Sequence, residues 1–118
     1  MRIIIAAVVA MIISAAMADE LDDAHRLAVA GRDAYWKCLA REYSQDSNKS
    51  MSEQAFASHL AGVCASERQN FRVALINYLS IQSPGADAEA PLTTANNAIA
   101  LAQKDIVTAF VKRRAAPK

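Results

Sequence analysis

The chain has 118 residues, with 13 Lys and Arg against 12 Asp and Glu, and a formal net charge of +1. This length suits one small domain with a modest hydrophobic core. The balanced charge excludes a dedicated nucleic-acid-binding protein, because such proteins carry a basic excess.

The N-terminus has the three parts of a secretory signal peptide. Arg2 is followed by an apolar run, Ile3 to Ile13, and by small residues that end in the A-x-A cleavage pattern Ala16-Met17-Ala18. The alternative is an uncleaved membrane anchor, which needs about 20 apolar residues. Because acids follow at positions 19 and 20, we expect residues 1–18 to be removed and the mature chain to be periplasmic or secreted, without stable membrane insertion.

Cleavage after Ala18 removes 18 of the 118 residues and leaves a mature chain of 100 residues. Because the removed segment contains Arg2 and no acid, 13 − 1 = 12 Lys and Arg balance the 12 Asp and Glu, and the mature chain is neutral. This single predicted domain, residues 19–118, opens with DELDD and closes with KRRAAPK. Acids at the start of a helix and bases at its end complement the backbone dipole. Two charged contact patches are the alternative interpretation.

Residues 20–44 are predicted to form the first helix. They include no proline and one glycine, and their apolar residues recur at steps of three and four. The flanking Val29, Trp36 and Tyr43 widen this face, which indicates two neighbouring helices. The face comprises Leu21, Ala24, Ala28, Gly31, Tyr35, Cys38 and Leu39.

The polar segment SQDSNKS ends the first helix, and a second helix is predicted over residues 51–81. Ser50 and Glu53 match a capping box, in which the serine oxygen accepts a hydrogen bond from the third amide. The apolar face of this helix comprises Phe56, Leu60, Val63, Cys64, Phe71, Ala74, Leu75 and Tyr78.

A loop with Pro84-Gly85 precedes the third predicted helix, residues 92–114. Its apolar positions again alternate steps of three and four, and basic residues close its last turn. These positions are Leu92, Ala95, Ile99, Ala102, Ile106 and Ala109. With no strand signal, the sequence predicts an all-α fold, a three-helix bundle.

Cys38 and Cys64 are predicted to form a disulfide between the first two helices. In an oxidising compartment, two cysteines in a small domain usually pair. In an antiparallel helical hairpin whose facing residue numbers add to 102, Cys38 faces Cys64. The same register places the small Gly31 against the large Phe71, as interdigitating layers require. Closing a loop of this length contributes about 3 to 4 kcal/mol in the chain-entropy model.

Other roles for the cysteines lack their motifs. A redox enzyme or covalent haem needs Cys-x-x-Cys or Cys-x-x-Cys-His, and neither occurs. Zinc sites in small domains use tight ligand pairs, whereas His59 and Cys64 diverge around the helix and His25 is over three turns from Cys38. We therefore predict no metal and no cofactor.

Glu67 interrupts the apolar face of the second predicted helix, between Cys64 and Phe71. A carboxylate buried there needs a partner or a raised pKa. It could be a general acid or base, although one carboxylate without a nucleophile, second acid or metal makes a poor enzyme site. The alternatives are exposure to solvent or a structural partner, for which the candidates are Arg32, Arg41 and the Tyr35 hydroxyl.

Tyr35, Trp36 and Tyr43 form an aromatic cluster near the end of the first helix. They are a possible interaction patch, and the alternative is that they belong to the core beneath the third helix. The sequence has no phosphate-binding loop, nucleophile elbow or H-E-x-x-H motif.

These observations favour a small periplasmic, non-enzymatic protein that binds another envelope protein or has a structural role there. The alternative is a stress chaperone or holdase that acid or unfolding activates, since protonation of its carboxylates in acid would loosen the bundle. In size, predicted export, helical content and single disulfide the chain is similar to the small acid-stress chaperones of the bacterial periplasm, a likeness of class without a shared motif. A small-ligand carrier or an enzyme is disfavoured, because no catalytic constellation is visible.

Overall fold

The computed structural model describes residues 2–116, with side chains from residue 17 onward. Within this range the chain is helical and contains no strand, which confirms the all-α prediction. The α-helices are α1 (Arg2–Ser44), α2 (Glu53–Gly62), α3 (Ala65–Gln82) and α4 (Glu89–Ala115), and a short 3₁₀ helix spans Asp46–Asn48.

The predicted continuous helix over residues 51–81 is wrong, because the chain breaks between α2 and α3. Val63 is extended, and Cys64 takes the left-handed conformation with φ 59° and ψ 37°. Gly62, the last residue of α2, has a low helix propensity. The described chain therefore has four α-helices where the sequence predicts three.

Arg68 satisfies the backbone groups that the break leaves free. Its Nη1 donates to the carbonyl oxygens of Ala61 and Val63 at 2.9 and 3.0 Å, and its backbone N–H donates to the carbonyl of Cys64 at 2.8 Å. The last carbonyls of a helix have no partner within it. A side chain from the next helix therefore stabilises the end of α2.

Ser52 is the N-cap of α2, two residues after the serine of the predicted capping box. Its hydroxyl accepts a hydrogen bond from the backbone N–H of Ala55 at 3.1 Å. Ser50 lies in the turn that precedes the helix. A serine directly before the first helical turn is the residue whose oxygen reaches the free amides.

Helices α1 and α3 pack antiparallel in the predicted register. A Cβ placed on Gly31 would lie 3.0 Å from the Cα of Phe71, so the two backbones approach each other closely there. About two turns along α1 from Gly31, the disulfide joins Cys38 to Cys64 with their Cα atoms 6.1 Å apart. The predicted disulfide is confirmed.

Helix α4 covers α1, α2 and α3. The amide of Gln103 donates to the Tyr35 hydroxyl at 2.9 Å, and Arg113 donates to the carbonyl of Tyr43 at the same distance, so α4 runs parallel to α1. The core joins all four helices and comprises Tyr35, Leu39, Phe56, Leu60, Phe71, Ile99, Ala102 and Phe110.

The predicted core face of α4 is wrong at its first position, because Leu92 is exposed. Pro91 is buried instead. Ala95, Ile99 and Ala102 are buried as expected.

The predicted signal peptide lies mostly outside the described side chains, which begin at Met17. Cleavage after Ala18 therefore stays a prediction. Within the described part of the chain, no helix combines the length and apolarity that crossing a bilayer requires.

The left-handed Cys64 generates a prediction that separates backbone strain from the crosslink. A side chain in this conformation costs about 1–2 kcal/mol, and the greater freedom of glycine in the unfolded chain offsets part of the gain. We expect the Cys38→Ala/Cys64→Gly variant to be about 0.5–1 kcal/mol more stable to urea unfolding than Cys38→Ala/Cys64→Ala. Equal stability of the two variants would contradict a strained backbone at position 64.

The contact between Gly31 and Phe71 predicts opposite effects for two glycine substitutions. Gly31→Ala places a methyl group 3.0 Å from the Phe71 backbone, and we expect it to lower the free energy of unfolding by about 1 kcal/mol. Gly62→Ala enters open space, and we expect a gain of about 0.5 kcal/mol. Urea unfolding of both variants checks this, and a stabilising Gly31→Ala would show that the helices can separate without cost.

Candidate functional site

A groove of about 630 Å³ runs between the outer faces of α1 and α3. We call it the α1/α3 groove. It is lined by Leu27, Ala30, Gly31, Ala34, Glu67, Asn70, Val73, Ala74 and Asn77. It exists because the residues at the helix seam are mostly alanine and glycine, whose side chains leave the space above the seam open.

The walls of the α1/α3 groove are apolar and face solvent. Leu27 on α1 is 62% exposed and Val73 on α3 is 57% exposed, two of the largest exposures of a large apolar side chain among the described residues. The polar lining consists of two amides, Asn70 and Asn77, and one carboxylate, Glu67. Among the residues that the structure describes, no basic one lines this groove, so the charge of its described lining comes from Glu67.

Glu67 lies at the disulfide end of the groove and is half-buried. A carboxylate oxygen and the Sγ atoms of Cys38 and Cys64 all lie within 4.8 Å of one another. Within the described range, the Glu67 carboxylate has no hydrogen bond or ion pair to another residue. Of the predicted interpretations, exposure to solvent through the groove fits this position.

The partners expected for Glu67 are engaged elsewhere or stay apart from it. Arg32 donates to the carboxylate of Asp33 at 3.1 Å. The Tyr35 hydroxyl accepts from Gln103. Arg41 lines a separate surface depression beside Ser44. The structure therefore gives the Glu67 carboxylate no structural partner among these three.

The predicted interaction patch is wrong for Tyr35, which is fully buried. Trp36 and Tyr43 are half-buried and pack against the core, so the alternative, that the cluster belongs to the core, describes all three. The guanidinium of Arg113 lies over the Tyr43 ring, 4.1 Å from its centroid. This guanidinium covers one face of the Tyr43 ring in a cation–π contact within the chain.

A polar network that the sequence did not reveal joins α1, the 3₁₀ helix and α2. The Glu42 carboxylate lies 2.9 Å from Nε2 of His59 and accepts from the side-chain amide of Asn48 at 3.0 Å. The same amide donates to the backbone carbonyl of Glu42 at 2.9 Å. The partners are up to 17 residues apart and belong to no motif, so only the folded chain brings them together.

The pKa of Glu42 is held below its usual value. The hydrogen bond with His59 is the largest cause. Burial opposes this effect, while the hydrogen bond from Asn48 and the positive charges of His59 and Arg41 add to it. Hydrogen bonds and positive charges favour the ionised carboxylate.

Neither histidine belongs to the close group that the cysteines form with Glu67. His59 belongs to the network with Glu42. His25 is exposed and packs on the ring of Tyr78, with the centroids 5.0 Å apart. In the described part of the chain, the only close group of three side chains with metal-ligating atoms is Cys38, Cys64 and Glu67.

Comparison of the chain with protein-family models, with curated proteins and with solved structures returns no match.

The lowered pKa of Glu42 predicts a pH-dependent loss of stability. A carboxyl whose pKa is lowered on folding stabilises the fold above its unfolded pKa, near 4.5, and this contribution is lost as the pH falls through the lower folded pKa. We expect Glu42→Gln to reduce the free energy of unfolding by about 1 kcal/mol at pH 7. At pH 3 the difference from the wild type should shrink.

Urea unfolding at both pH values measures this effect. Asp105→Asn is the control, because Asp105 is exposed and has no ion pair with another described residue. A Glu42→Gln effect that is the same at pH 7 and pH 3 would show that the charge of Glu42 does not stabilise the fold.

Proposed function

We propose that the chain is a non-enzymatic binding protein of the periplasm that holds an amphipathic helix of an envelope protein in the α1/α3 groove. The observation that carries this proposal is the pair of exposed apolar side chains, Leu27 and Val73, on opposite walls of one groove. Large apolar side chains that face solvent together mark interaction surfaces more often than single ones do.

The shape of the groove favours a helix as the ligand. Leu27, Ala30 and Ala34 are spaced by three and four residues along α1, so they form one continuous stripe. Two antiparallel helices with small residues at their seam form a trough in which a third helix can pack closely. Helix-in-groove recognition uses apolar anchors at the same spacing on the ligand.

The charge of the groove selects among helices. Of the described residues that line it, Glu67 is the only ionisable one, and it lies at the end next to the disulfide. A partner helix with a lysine or arginine at that end would pair with it. Asn70 and Asn77 on α3 can donate and accept hydrogen bonds along the polar edge of such a helix.

The groove supports binding better than catalysis. Its described lining residues offer one carboxylate, two amides and apolar groups, and none of them is a nucleophile or a second acid. General acid–base and nucleophilic catalysis both need a second positioned group. The predicted signal peptide and the disulfide are compatible with export, where such a binding protein would meet envelope partners.

A second candidate function, a chaperone that acid activates, is supported by the Glu42 network. Protonation of Glu42 removes the ionised partner of His59 and Asn48, which join the end of α1 to the 3₁₀ helix and α2. Loss of this connection in acid would loosen α2 and expose the core residues Phe56 and Leu60. Apolar surface that appears only in acid could then bind unfolded proteins.

Site-specific photocrosslinking in cells that naturally express the chain tests the groove. A photoreactive amino acid replaces Leu27 in the groove or, as a matched control, Leu101 on α4, which is 56% exposed. We expect a discrete adduct with one protein from position 27 and none from position 101. Val73→Asp should abolish the adduct, because it places a charge on the opposite wall.

Two results would contradict groove binding. One is the absence of any adduct from position 27, and the other is an adduct that Val73→Asp leaves unchanged. Many adducts from both positions after acid treatment would favour the chaperone, since a loosened chain binds without a defined site.

A further inference from the structure

Three potential metal ligands meet where α1 faces the start of α3. The Sγ atoms of Cys38 and Cys64 and a carboxylate oxygen of Glu67 lie within 4.8 Å of one another. Cys38 and Cys64 form a disulfide, so the sulfur atoms have no ligand capacity in this state. Reduction would convert the same three side chains into two thiols and a carboxylate.

We propose that the reduced chain binds a zinc ion through Cys38, Cys64 and Glu67. Thiolate sulfur and carboxylate oxygen are both normal zinc ligands, at about 2.3 Å and 2.0–2.2 Å. The Cα atoms of the two cysteines are 6.1 Å apart. After reduction, rotation of the side chains can separate the sulfurs to the roughly 3.8 Å that two ligands of a tetrahedral zinc ion require.

The electrostatics of the cluster favour a cation once the disulfide is open. Two thiolates and the Glu67 carboxylate place three negative charges close together, and none of the described basic residues makes an ion pair with Glu67. A divalent cation neutralises two of these charges. Cys64 is also the N-cap of α3, and the start of a helix stabilises a thiolate.

Glu67 lines the α1/α3 groove, so a zinc ion held by its carboxylate would lie at the disulfide end of that groove. Water or a donor from a bound ligand can complete the coordination there. The inference does not depend on a helix in the groove, since the three ligands all come from this chain.

A dithiol can supply the electrons and protons that reduction of the Cys38–Cys64 disulfide requires. The dithiol transfers two electrons and two protons to the disulfide, becomes a disulfide itself and leaves Cys38 and Cys64 as thiols. Zinc then replaces the two thiol protons, which are released to solvent. Oxidation by a disulfide of higher reduction potential reverses the sequence, so the zinc ion is released as the sulfur–sulfur bond forms again.

Titration of the purified chain with Co²⁺ and Zn²⁺ tests the site. Co²⁺ reports sulfur ligands through thiolate-to-metal charge-transfer absorption, and Zn²⁺ should displace it. We expect one equivalent of Co²⁺ to bind to the dithiol-treated chain and none to the oxidised chain. Cys38→Ser should abolish the thiolate absorption of the site.

Glu67→Gln separates the folded three-ligand site from two free thiols. It preserves the shape of the side chain but removes the negative oxygen ligand, and we expect it to weaken zinc binding about tenfold or more. Glu53→Gln is the matched control, because Glu53 is exposed at the start of α2, and we expect it to leave the affinity unchanged.

Three results would overturn the proposal. The first is the absence of thiolate-to-cobalt absorption in the reduced chain. The second is equal zinc affinity of Glu67→Gln and the wild type. The third is a reduced chain that loses its helical circular dichroism and does not regain it with zinc, because the ligands then lack the fold that brings them together.

Discussion

The close packing of α1 against α3 is the constraint on which the rest of the structure depends. It is set at two places: the backbone contact at Gly31 and Phe71, and the disulfide between Cys38 and Cys64. In both pairs the residue numbers add to 102, so the covalent bond and the close backbone approach at Gly31 impose the same register. The disulfide therefore joins residues that packing already brings together, and α4 completes the core over them.

The break between α2 and α3 follows from the same constraint. Cys64 must meet α1 while Phe56 stacks on Phe110 of α4, with ring centroids 4.0 Å apart. The chain adopts the left-handed conformation at Cys64, and Arg68 satisfies the carbonyl groups released at the end of α2. The Glu42 network then holds the other side of α2. Covalent, backbone and polar interactions thus converge on this short segment.

The features proposed for function are consequences of the seam between α1 and α3. Small residues permit the close approach, and the same small residues leave the α1/α3 groove open above the seam. Glu67 faces this groove and also lies beside the disulfide, which connects the proposed binding surface to the proposed zinc ligands. A partner helix and a metal ion would therefore meet at one carboxylate.

The helical class, the Cys38–Cys64 pairing and the Gly31–Phe71 register followed from the sequence, because each depends on residue spacing along a helix and on the scarcity of alternative partners. The break at Cys64 did not follow from the sequence, because the apolar residues keep their helical spacing across it. The backbone leaves the helix there only in response to tertiary contacts. The same limit applies to Tyr35, whose exposure depends on the position of α4, and to the pairing of Glu42 with His59 across 17 residues. Periodicity determines which face of a helix is apolar, whereas the packing of the helices decides what covers that face and which polar groups meet.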